Sequence, residues 1–130
     1  MKIRQYGFLV AAIMTASAGA QTAPPVPSNA SVQVQAGAKL YQQHCSLCHG
    51  AEGRNANVFP RPIWGPGHDI FKFNNSKGLF EYLQLVMPFD KPDKINDADK
   101  LAITAFMLER NKNIKPDGQL PAGGGAVAIK

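Results

Sequence analysis

Cysteine is scarce in this chain. Its 130 residues contain two, Cys45 and Cys48, and no third or fourth thiol is present to complete a structural zinc site or an iron–sulfur cluster. Acidic residues are also few, 9 against 14 lysines and arginines, for a formal net charge of +5. That excess is not organised for nucleic acid, because no arginine-rich stripe or aromatic platform accompanies it. A phosphate-binding glycine loop, a Ser/His/Asp set, a further metal cluster and an internal repeat are all missing. The apolar stretch Phe8 to Met14 is too short to cross a bilayer. These absences leave little room for a hydrolase, a nucleotide enzyme, a nucleic-acid binder or a membrane-spanning protein.

That apolar stretch has a different reading. Lys2 and Arg4 precede it and Ala18-Gly19-Ala20 follows as a small-residue cleavage site, so residues 1–20 are expected to be a secretory signal peptide. The expected location is periplasmic, with no membrane anchor after cleavage. Removal would leave 130 − 20 = 110 residues and a net charge of 12 − 9 = +3. Pro24, Pro25 and Pro27 make residues 21–31 a flexible leader, and Gly123-Gly124-Gly125 make residues 114–130 a disordered tail. One small domain is expected over 32–113.

The two cysteines fall in Cys45-Ser46-Leu47-Cys48-His49, a C-x-x-C-H run that is the attachment signature of c-type haem. Two thiols separated by two residues reach one edge of a macrocycle and add to its vinyl groups as thioethers, while the adjacent imidazole is held beneath the iron as an axial ligand. Export makes a disulfide the competing expectation. Closing so short a loop strains disulfide geometry, and it leaves His49 without a role.

Apolar spacing predicts an all-α domain of three to four helices wrapped round one covalent haem. Val34, Ala38, Tyr41 and Cys45 share one face of a helix from about Val32, with Gly37 placed for close approach of another helix. Residues 50–73 are rich in Gly, Pro and Asn, a loop too long for a compact domain unless a flat apolar cofactor supplies the surface it packs on. Ser76 is the expected N-cap of a helix carrying Leu79, Tyr82, Leu83 and Val86 and ended by Pro88. Asn96 is the expected cap of a last helix carrying Leu101, Leu108, Phe106 and Met107.

Candidates for the sixth iron position are Met87, Met107, His44 and His68. His44 adjoins the attachment loop and shares its side of the iron, and Met107 sits in an apolar helix face where methionine ordinarily fills core. Met87, at a helix end before Pro88, is the expected ligand, with His68 in the middle loop as its rival. A His/Met pair raises the reduction potential and leaves no open coordination site, which suits one-electron transfer. The alternative is a haem enzyme or ligand sensor with a displaceable sixth ligand.

The motif, the helix with Gly37 and Tyr41, Met87-Pro88 and a closing helix with Phe106 together resemble a class I monohaem cytochrome c over residues 32–113. The stretch from Leu79 to Phe89, with Asn96-Asp97-Ala98-Asp99 and Ile103 to Leu108, is similar to cytochrome subunits of periplasmic dehydrogenases, of sulfite dehydrogenase type first and quinoprotein alcohol dehydrogenases second. The resemblance implies that the first and last helices cross with Gly37 and Tyr41 against Phe106. It also implies a proline carbonyl accepting the His49 N–H, from either Pro60 or Pro62. Trp64 is either a haem propionate contact or a wall of the pocket. The implied partners are redox proteins, a periplasmic dehydrogenase and a downstream cytochrome or oxidase. Lys72, Lys77, Lys91 and Lys94 either steer acidic partners to the haem edge or form a solvated face with Asp90, Asp93 and Asp97.

Overall fold

The computed structural model describes residues 25–130, and the expected signal peptide lies outside them. Four α-helices follow in order: α1 (Val32–His44), α2 (Ser46–His49), α3 (Ser76–Val86) and α4 (Asp97–Arg110). Short 3₁₀ turns at Ile70–Phe73 and Pro92–Lys94 flank α3. No strand occurs among the described residues, and one isolated antiparallel bridge joins Asn75 to Ala128. The all-α architecture matches the expectation from the apolar spacing.

The helix starts are set by short polar side chains that satisfy first-turn N–H groups. Ser31 accepts from Val34 N at 3.2 Å. Asn96 accepts from Asp99 N at 2.9 Å, and its amide returns a bond to the Asp99 carboxylate at 2.9 Å. Asn96→Ala is expected to cost about 1 kcal/mol of stability, read by chemical denaturation. The expected cap of α3 is corrected by one residue. Asn75 has the extended backbone a cap needs and accepts from Gly78 N at 3.0 Å. Ser76 is instead fully buried, and its hydroxyl accepts from Val127 N at 2.9 Å. The C-terminal segment has taken over that hydroxyl.

The core forms where α1 meets α4. A β-carbon at Gly37 would run into the Ala102 carbonyl and lie 2.8 Å from Phe106 Cβ, so the two backbones touch where glycine stands. Beside this contact Tyr41, Phe106 and Trp64 form an aromatic cluster, with ring centroids 5.1 Å apart for Tyr41–Trp64 and 5.6 Å for the other two pairs. Trp64 comes from the 50–73 loop, so this cluster fastens the loop to the helix pair.

Both chain ends of the described body depart from expectation. The 114–130 segment is packed: Leu120 and Ile129 are buried, Leu120 exchanges two hydrogen bonds with the Gln33 side chain, and Ile129 N donates to Asn74 O at 2.8 Å. Ser76 N donates to Val127 O at 2.8 Å. Within the glycine run that suggests disorder, Gly124 allows close approach, lying against Phe80 and the Ser76 backbone at a φ of +88°. Within the expected flexible leader, Ala30 is buried and Val26 packs against the core. The packed body therefore extends beyond 32–113 in both directions.

Candidate functional site

Between these elements lies a cavity of about 370 Å³. Cys45, Cys48 and His49 line it from the α1–α2 corner, Met87 from the C-cap of α3, and Ile103 and Met107 from α4. The loop adds Val58, Phe59, Ile63 and Ile70, and α3 adds Leu79 and Leu83, so the walls are overwhelmingly apolar. Cys45, Cys48, His49 and Met87 are thus brought to one cavity.

The attachment corner is held by Tyr41. Its ring is fully buried and its hydroxyl donates to Gly50 O at 2.9 Å, fixing the turn just after His49. Burial, with Cys45 and Glu52 as smaller contributors, pushes that hydroxyl well above the usual phenol range, so it remains a donor. Periodicity identifies Tyr41 as a core residue and says nothing of its hydroxyl. Both cysteines are free; burial first, and the neighbouring Cys48 second, push the Cys45 thiol up to about 12. Burial lowers the His49 pKa, which favours the neutral imidazole with a free lone pair, the form that binds iron. Phe59 packs edge-on to His49 at 5.1 Å, and the buried His49 Nδ1 has no hydrogen-bond partner.

The expected bond from His49 to a proline carbonyl is not formed. Pro60 O accepts from Asn55 N at 3.4 Å and Pro62 O from Asp69 N at 2.8 Å, so both carbonyls serve the loop's own amides. Trp64 is not among the cavity residues; the aromatic cluster holds its ring between Tyr41 and Phe106. His68 is also drawn away. Its Nε2 lies 3.2 Å from Lys130 O and 3.4 Å from Asn111 Nδ2, and it does not line the cavity. His44 and Met107 do line it, beside the attachment corner and within the α4 face respectively.

Few charged side chains reach the cavity, and of these only Lys72 stands out in the sequence. Asp69 and Lys72 line it from the loop, and Asp69 is paired in charge with Arg61 at 3.0 Å and Lys72 at 3.7 Å. Lys100 reaches it from α4 and is 2 % exposed. Of the four surface lysines singled out above, Lys72 and Lys77 are in ion pairs, the latter with Glu81 at 3.3 Å.

This donor set suits a flat iron porphyrin: two thiols at two-residue spacing, a neutral imidazole with an unpartnered buried nitrogen, a thioether sulfur from a separate element, and apolar walls. No group of three His, Cys, Asp or Glu residues among those described is disposed to hold a bare metal ion, and no described helix is long and apolar enough to cross a membrane.

Comparison with known proteins agrees with this chemistry. A thiosulfate dehydrogenase of Allochromatium vinosum is 30 % identical over 84 residues, covering 55 % of this chain and 29 % of that protein. The quinohemoprotein alcohol dehydrogenase ADH-IIG of Pseudomonas putida is 40 % identical over 50 residues, 37 % of this chain and 7 % of that enzyme. The chain therefore spans less than a third of either curated relative. Among solved structures, the sulfane dehydrogenase SoxCD of Paracoccus pantotrophus superposes with a TM-score of 0.48 at 26 % identity, covering 65 % of this chain and 46 % of that one. The family model described as cytochrome c oxidase, cbb3-type, subunit III matches residues 32–107, more than half of the chain, and the protein therefore belongs to this cytochrome c family.

Proposed function

We propose that this protein carries single electrons through one haem c, attached by Cys45 and Cys48 and ligated by His49 and Met87, between a periplasmic dehydrogenase and a later cytochrome or oxidase. Membership of the cytochrome c family supports electron transfer as its role. The observation that carries the finer reading is that Met87, 87 − 48 = 39 residues beyond the second cysteine, lines the same apolar cavity as Cys45, Cys48 and His49.

When bound, haem c supplies a one-electron couple. Cys45 and Cys48 would retain the group as thioethers, and His49 would offer its imidazole nitrogen, with Tyr41 fixing the turn behind it. Met87 would supply sulfur from the end of α3, and the apolar walls exclude water. The similarity to a thiosulfate dehydrogenase favours a sulfur-compound dehydrogenase as the donor, with the sulfite-oxidising type first by resemblance. Export rests on Lys2, Arg4, the apolar stretch and the cleavage site. Lys91 and Lys94, exposed beside the Met87 turn, are placed to steer an acidic partner.

Met87→Ala tests the ligand set. The sulfur-to-iron charge-transfer band of the oxidised protein is expected to vanish, and the midpoint potential to fall by on the order of 100 mV, since axial ligands tune haem potentials over several hundred millivolts. An unchanged band and potential would remove Met87 from the ligand set and favour the alternative, a haem enzyme or sensor with a displaceable ligand.

A further inference from the structure

Lys100 is the one buried lysine among the described residues, 2 % exposed on the wall of the cavity. A long cationic side chain is seldom enclosed without an anion, because desolvation of the charge is costly. Yet no carboxylate pairs with it among the described ion pairs, which involve Asp69, Glu81 and Glu109. Its Nζ donates to Gln84 O at 3.0 Å.

The choice of that carbonyl follows from the sequence. In an α-helix the carbonyl of residue 84 accepts from the N–H of residue 88, and residue 88 is proline, which has none. The preceding rung is intact, with Met87 N donating to Leu83 O at 3.3 Å. Pro88 therefore ends α3 with an unpartnered carbonyl one rung beyond Met87's own bond, and Lys100 supplies the missing donor from α4. Lys100, Ile103 and Met107 stand at i, i+3 and i+7 and all line the cavity, so the same helix face delivers this cation and the apolar wall. An ammonium has three N–H groups, and the bond to Gln84 uses one.

We infer that Lys100 is a positioning residue for Met87 and also a fixed positive charge that sets the haem's reduction potential. This rests on the haem and Met87 ligation proposed above. The sign follows from Coulomb's law: a cation enclosed beside the cofactor disfavours the ferric form, which carries one more positive charge than the ferrous, so it holds the potential up. A surface lysine would be screened by water and salt, but a buried one is screened far less.

The test uses the haem-loaded protein and its Lys100→Gln, Lys100→Met and Lys100→Arg variants, followed by optical redox titration and by the sulfur-to-iron band. For Gln and Met, the ratio of reduced to oxidised protein at a fixed solution potential is expected to fall about tenfold, equivalent to ~59 mV for one electron. Arg is expected to stay within about twofold of the parent, which separates charge from shape. The band should weaken in Met, which cannot donate to Gln84 O. If Met fails to load haem, Gln and Arg decide. A ratio unchanged in Gln, or shifted equally in Gln and Arg, overturns the inference even if stability falls. Parent protein lacking covalent haem or the band would overturn the proposed function itself, a separate result.

Discussion

Replacing both Cys45 and Cys48 with alanine is expected to yield a polypeptide that retains no haem through denaturing electrophoresis, whereas each single variant keeps one thioether and part of the stain. The double variant is also expected to lose its cooperative thermal transition. The walls of the 370 Å³ cavity are apolar. Left unfilled, those walls face water, and at about 25 cal/mol per Å² of apolar surface the lost burial is worth several kcal/mol, the same order as the ~5–15 kcal/mol that holds an ordinary domain folded. A chain of this length buries too small a fraction of its surface to absorb such a loss. His49→Ala separates the two contributions, because the thioethers remain while the imidazole is gone. Covalent stain is expected to survive in that variant with a changed haem spectrum. Full haem retention in the double variant would show that attachment does not run through these thiols.

Gly37→Ala is expected to destabilise the protein by roughly 2–4 kcal/mol, read as a lower denaturation midpoint. Intrinsic preference points the other way. Gly37 lies inside α1, where alanine is favoured over glycine by about 1 kcal/mol. The added carbon, however, meets the Ala102 carbonyl and Phe106 Cβ, and a backbone atom of a packed helix has nowhere cheap to go. Relief requires α1 and α4 to move apart, which opens the Tyr41–Phe106–Trp64 cluster and with it the support of the turn at Gly50. An increase in stability would mean that the helix contact is soft. The sign alone decides between the two accounts.

Several features were legible because they are local. Helix periods place Val34, Ala38 and Tyr41 on one face, and all three are buried. Pro88 stops α3 after Val86 because the residue before a proline is pushed out of the helical region. The oversized 50–73 loop signals an apolar surface missing from the chain, and Phe59, Ile63 and Ile70 do line the cavity. Other readings failed where a distant segment intervened. Ser76 has the right chemistry for a cap, but Val127 occupies its hydroxyl. The glycines at 123–125 look like disorder in isolation, yet Gly124 packs closely against α3. His68 carries a suitable group, and the C-terminal segment holds it away from the cavity.

By itself the sequence determined the haem motif, the helix periods and their stops, because a motif needs only adjacent residues and a helix only neighbours three or four positions apart. It also singled out Met87, since a proline after a helix end is visible without coordinates. Only the tertiary structure decided that Lys100, twelve residues beyond Pro88, replaces the N–H that proline lacks, and that Gly37 is where two backbones meet. Those outcomes depend on which unsatisfied carbonyl or bare α-carbon a remote element happens to face, and that is set by helix packing and the path of the loops rather than by any spacing along the chain.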